Sequence, residues 1–99
     1  MSAMDVINDI GHHRFLARLP DGDGELTYEQ IAPHTLELIH TQIEPSLRGQ
    51  GVAEALALAA IVYAREHALH IIPTCPYVQR WLAKHPEHKD LVVARPDAD

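Results

Sequence analysis

The hydrophobic period changes once along this chain, and the change falls on a loop that needs two glycines close together. Residues 13–43 alternate at the two-residue repeat of strands, whereas residues 51–68 carry the repeat of a helix. The junction is Ile43-Glu44-Pro45-Ser46-Leu47-Arg48-Gly49-Gln50-Gly51-Val52-Ala53. Gly49 and Gly51 let the backbone come close to a ligand and take dihedrals barred to other residues. The N–H groups of the following helical turn have no intrahelical partner and lie at the positive end of the helix dipole. Loop and helix end therefore form an anion site suited to a pyrophosphate, with Arg48 as the nearby cation. The plainer reading is that the two glycines only shape a loop.

The strand half reads as a meander. Residues 13–19 place Phe15, Ala17 and Leu19 on one face, and the cluster Pro20-Asp21-Gly22-Asp23-Gly24 supplies a turn. Residues 25–32 alternate again through Leu26, Tyr28 and Gln30. In residues 35–43, Leu36, Leu38, His40 and Gln42 oppose Thr35, Glu37, Ile39, Thr41 and Ile43. Three such strands with short links predict an antiparallel sheet. The Ala- and Leu-rich helix over 51–68 spaces Leu56, Ala59, Ala60, Tyr63 and His67 along one side, and its apolar band is wider than a single core stripe. Residues 70–73 form a short strand, which the crossover forces parallel to 35–43. A second helix over 76–85 carries Val78, Trp81 and Leu82, and Pro86 ends it. The expected fold is thus α/β (α+β): three-stranded antiparallel meander, crossover helix, short parallel strand and C-terminal helix. One domain over 1–93 and a loose acidic tail over 94–99 complete it.

Charge and cysteine content narrow the function classes. The 99 residues carry a net charge of −6 with histidine neutral, which argues against a nucleic-acid or anionic-membrane binder. The single cysteine, Cys75, excludes an internal disulfide and a Cys-rich zinc module. Met1–Ile10 holds Asp5 and Asp9 and no basic apolar run, so a signal peptide is not expected. The uncharged run Ala55 to Ala64 is about half the roughly 20 residues of a spanning helix. A cytoplasmic protein is the expectation.

Other phosphate loops do not fit. No Gly-Lys-Ser/Thr ending is present, and Glu54 stands where a dinucleotide fingerprint needs its third glycine. The loop instead resembles motif A of the GCN5-related N-acetyltransferases, whose Arg/Gln-x-x-Gly-x-Gly/Ala pattern is matched by Arg48, Gly51 and Ala53. His40-Thr41, Glu44-Pro45, Pro73-x-Cys75-Pro76-Tyr77 and His85-Pro86 make the chain similar to the short, YjdJ-like branch of that superfamily, from about Arg14 to Val92. The resemblance implies an acetyl-CoA-binding domain cut down to its cofactor half, with acetyl-CoA as acyl donor. In it, Arg48, Gly49, Gln50, Gly51, Val52 and Ala53 hold the pyrophosphate, and the strand ending at Ile43 pairs with the pantetheine arm. The strands at 35–43 and 70–73 splay to admit the thioester.

Chain geometry also singles out Cys75. It follows a strand parallel to the one feeding the loop, so both lie at the same sheet edge, where open α/β sheets bind ligands. Pro76 suits the first helical position and makes Cys75 the N-cap, where the dipole favours a thiolate. Cys75 is then either a nucleophile that takes the acetyl group or a small buried hydrophobe. His40 reads as a general base, a hydrogen-bond partner of the cofactor arm, or a structural strand residue. Tyr77 either donates a proton to the departing thiolate or packs. Glu44 is a base or a strand-end charge. His12-His13, His67-x-x-His70 and His85-x-x-His88 lack a metal-site pattern and read as solvated surface residues, so no metal is expected.

Two functions follow. One is an acetyl-CoA-dependent transferase acting on an amine acceptor, by direct attack or through Cys75. The other is a CoA-binding module without turnover that acts through a partner. The helix 51–68 suits a homodimer or partner interface in either case.

Overall fold

The computed structural model describes residues 5–94. The tail expected over 94–99 lies, apart from Ala94, outside the described residues. The strands are β1 (Val6–Asp9), β2 (Arg14–Leu19), β3 (Gly22–Ala32), β4 (Thr35–Ile43) and β5 (His70–Pro73), and the helices are α1 (Val52–Glu66) and α2 (Pro76–Ala83). They form one five-stranded sheet in the order β1-β2-β3-β4-β5. The first four strands are antiparallel, and β5 joins β4 in parallel with Thr35 beside His70 and Leu38 beside Pro73. The mixed α/β architecture and the parallel crossover are as read from the sequence.

Several boundaries differ, each for a local reason. The meander has four antiparallel strands, because Val6–Asp9 pairs with β2 from Val6 opposite Ala17 to Asp9 opposite Arg14. The turn between β2 and β3 is tighter than the glycine cluster implies, since Gly22 and Gly24 already pair with Leu19 and Ala17. Helix α1 stops at Glu66, where the N–H of Leu69 turns back to the carbonyl of Ala64 at 2.8 Å and Ala68 takes a φ of +55°. Helix α2 stops at Ala83, before Pro86 opens a 3₁₀ turn over Pro86–Leu91. The chain then returns to the sheet through the Val93 N–H, which donates to the Ile71 carbonyl at 2.9 Å.

One core holds the fold together. It joins Phe15, Ala17, Leu26, Tyr28, Leu36 and Leu38 of the sheet to Leu56, Ala60 and Ile61 of α1 and to Val78 and Trp81 of α2. Each large apolar side chain so buried contributes about 1.5–3 kcal/mol. Helix α1 buries Val52, Leu56, Ala57, Ala60, Ile61 and Ala64, while Ala59 and Tyr63 are half-buried and His67 is exposed. Its apolar band looks wide in sequence because Leu58 and Val62 face outward.

Strand β4 departs from simple alternation. Thr27 pairs with His40 but Tyr28 pairs with Leu38, so Ile39 is an extra residue in a β-bulge. Leu36 and Leu38 face the core before the bulge, and Thr41 and Ile43 take that side after it. The face assigned from alternation to His40 and Gln42 therefore belongs to Thr41 and Ile43 instead.

Candidate active site

The loop after β4 is anchored before it reaches its glycines. Leu47 is buried, in a 3₁₀ turn opened by Pro45. The Ser46 hydroxyl donates to the Asp21 carbonyl at 2.7 Å, and the Glu44 carboxylate accepts the Asp23 N–H at 3.0 Å. The Glu44 N–H returns a bond to the Asp23 carbonyl at 3.2 Å. Glu44 thus ties the loop to the β2–β3 turn.

Gly49 and Gly51 have φ of +81° and +77°, in the left-handed region, and a Cβ at either would meet nothing within 4 Å. Their need for glycine is conformational, and the space beside them is open. The first hydrogen bond of α1 runs from the Ala55 N–H to the Gly51 carbonyl at 3.1 Å, and no side chain caps the helix. The N–H groups of Val52, Ala53 and Glu54 precede that bond and face the positive end of the dipole outward.

These groups border a cleft of about 470 Å³. Ile43, Arg48, Gly49, Gly51, Val52 and Ala53 line it, as does Tyr77 from the first turn of α2. Gln50 does not, because its side-chain amide is held back on the Ser46 carbonyl at 3.2 Å. Thr41, Leu47 and Glu54 line it as well.

Beside the cleft, the pairing of β4 with β5 ends. Their last pair is Leu38 with Pro73, after which the Cys75 N–H reaches the Leu38 carbonyl at 2.9 Å. Cys75 is the N-cap of α2 with Pro76 at the first position, and it is only 2% exposed. Its Sγ lies 3.1 Å from Oγ1 of Thr41. One position earlier, the Thr74 hydroxyl donates to the buried Glu37 carboxylate, bracing β4 against the chain that leaves β5. Burial, then the nearby Glu54 carboxylate, pushes the Tyr77 phenol above its ordinary value of 10.0, so it stays protonated at neutral pH. His40 is exposed and is not among the cleft-lining residues, since the bulge gives that side to Thr41.

Three residues of the site carry roles that the sequence reading did not give them. Thr41 is put in place by the bulge. Glu54 lines the cleft rather than merely standing where a third glycine is missing. Gly24 lies beneath the loop, where a Cβ would sit 2.6 Å from Cγ1 of Val52 and 2.9 Å from Cδ1 of Ile43. A glycine in a strand marks such a close approach, and that signal was present in the sequence.

A glycine bend joining a strand to a helix beside an open cleft, on a mixed sheet whose last two strands run parallel, is the arrangement of an acetyltransferase domain. The chain belongs to the GCN5-related N-acetyltransferase family, whose model matches residues 14–91. It is 36% identical over 87 residues to protein NATD1 of Xenopus tropicalis, covering 86% of this chain and 80% of that one. Human protein NATD1 is 34% identical over 61 residues, a stretch spanning 62% of this chain and 54% of its own length. A GCN5-like protein of Staphylococcus aureus, solved in solution by NMR, superposes with a TM-score of 0.70 at 26% identity, over 98% of this chain and 95% of the other. Among the described residues no helix is long and apolar enough to cross a membrane.

Proposed function

We propose that the protein binds acetyl-CoA in the cleft at Arg48 to Ala53 and transfers the acetyl group to an amine. The observation that carries this reading is the meeting of two left-handed glycines and the first N–H groups of α1 at one cleft, whose walls are completed by Thr41 and Ile43 of β4 and Tyr77 of α2. The pyrophosphate is held by those N–H groups and by Arg48, and the pantetheine arm runs along Ile43 toward Thr41.

Direct attack by the amine is the favoured route, because the Cys75 thiol is buried and bonded to Thr41 rather than open to the cleft. Tyr77 serves as a hydrogen-bond donor to the departing thiolate. A thiol has an ordinary pKa of about 8.5, so complete transfer from a phenol raised above 10.0 is uphill. Among the described cleft-lining residues, Glu54 supplies the carboxylate, the group placed to take the amine's proton.

One observation favours a second reading, a coenzyme-binding module without turnover: neither Cys75 nor His40 lines the cleft. CoA release measured with polyamines, simple amines and lysine peptides separates the two. Release with at least one acceptor, retained in Cys75→Ala, supports direct transfer. Tight binding with no release on any acceptor supports the module.

A further inference from the structure

One guanidinium ties the last turn of α1 to the 3₁₀ turn Pro86–Leu91. Arg65 donates to both Asp90 oxygens, at 3.2 and 3.1 Å, and to the Glu87 carbonyl at 3.5 Å. Its Nη2 also stands 3.0 Å from Nδ1 of His88. A guanidinium only donates, so Nδ1 is the acceptor, and the ring is neutral with its proton on Nε2. That Nε2 lies 3.9 Å from a Glu87 carboxylate oxygen, and Nδ1 of His85 lies 3.4 Å from the same oxygen. His88 therefore stands between a cation and an anion, and its protonation decides which of them it can hold.

The two histidines are not the solvated pair that their spacing suggests, since their side chains are only 32% and 18% exposed. Both stack on Trp81, the single tryptophan of the chain. The ring centres of His85 and His88 lie 4.1 and 5.7 Å from it, with 25° and 12° between the planes. Trp81 is buried, and its indole N–H has no hydrogen-bond partner among the described residues. An unpaired buried donor costs stability, and opening of the turn would give it water.

The remaining charges at the turn are few. Arg65 holds the Asp90 carboxyl below its ordinary value of 3.8, so Asp90 stays ionised while histidine titrates. His70 of β5 borders a hollow beside Arg65 and Asp90. No hydrogen bond or ion pair joins Lys84 or Lys89 to either stacked ring among the described residues.

We infer that His88 is a proton-operated catch between α1 and the turn that follows α2. At higher pH the neutral ring accepts the Arg65 hydrogen bond, and the turn is closed over Trp81. A proton taken up at Nδ1 removes that acceptor and sets a cation against the guanidinium, so the ring leaves Arg65 and pairs with Glu87. The Arg65–Asp90 pair persists, which makes the opening a movement about Asp90 and not an unfolding. The His88 contact is thus present above the histidine range and lost as pH falls through it. The inference is independent of acetyl transfer, and its test contains no coenzyme.

Trp81 emission reads the catch, because no other tryptophan contributes. Acidifying the full wild-type chain from about pH 8 to about pH 5 shifts the emission maximum to longer wavelength in one step, while circular dichroism stays unchanged. His88→Gln supplies an uncharged acceptor at every pH, and the step disappears; His85→Gln retains it. Long-range proton–nitrogen spectra of the wild type, which need no variant, find His88 at about pH 8 with its proton on Nε2 and none on Nδ1. A proton on Nδ1 of the neutral ring, or a step that survives in folded His88→Gln, overturns the proposal. So does a step lost in His85→Gln, an emission maximum constant across the range, or a loss of circular dichroism in the same step.

Discussion

Thr41 and Cys75 place Oγ1 and Sγ 3.1 Å apart just beyond the last pair of β4 with β5. The hydroxyl belongs to the cleft wall and the sulfur to the core. The contact therefore couples the N-cap of α2 to the space where a thioester would lie. If the thiol is structural, Cys75→Ala keeps most of its turnover and rapid-quench mass spectrometry finds no acetyl group on the wild-type sulfur. Thr41→Val lowers kcat/KM by about 2- to 10-fold, the worth of one ordinary hydrogen bond. An acetylated Cys75 that forms and decays at the rate of turnover would reverse the assignment.

Tyr77→Phe removes the donor while keeping the ring. Its kcat falls by about tenfold with little change in KM, because the leaving thiolate develops charge only in the transition state. A raised KM with unchanged kcat would mean that Tyr77 only packs against the coenzyme.

Gly24 and Gly51 need glycine for different reasons, and substitution separates them. Gly24→Ala forces a Cβ into Val52 and Ile43 and lowers stability by about 1–3 kcal/mol, as overpacking does. Gly51→Ala meets open space but a φ of +77°, so its cost is about 1–2 kcal/mol of backbone conformation. Denaturant melts give both values. Weakened coenzyme binding is expected in both variants, because each disturbs the start of α1.

The exposed Arg65–Asp90 pair makes a small, pH-dependent contribution to stability. The Arg65 guanidinium donates to both Asp90 oxygens, at 3.2 and 3.1 Å, and holds the carboxyl below its ordinary value of 3.8. A carboxylate depressed on folding stabilises the protein above its unfolded value, and that contribution disappears as pH falls through the folded one. Asp90→Asn is therefore expected to melt lower than wild type at neutral pH, with the difference closing below about pH 3.8. A difference that persists unchanged at pH 2 would assign it to packing.

The order of elements was legible in the sequence because period and glycine placement are local properties. Residues 43–53 announce a strand, a bend and a helix without help from the rest of the chain. Val6–Asp9 was not legible: its four residues lack a clear alternation, and pairing with β2 makes them a strand. Neither was the bulge at Ile39, which depends on how β4 meets Tyr28 of β3. That bulge decides the site, since it exchanges His40 for Thr41 on the cleft side. Gly24 was read as turn chemistry, although its tightest constraint is the side chain of Val52 on another element.

The most direct measurement is isothermal titration calorimetry of the wild type with acetyl-CoA, repeated on a Gly49→Val, Gly51→Val double variant whose folding is checked by its melting curve. Saturable one-site heat from the wild type, with affinity lost at least about tenfold in the variant, is the predicted result. No heat from the wild type, or equal affinity in the folded variant, would contradict coenzyme binding at this bend.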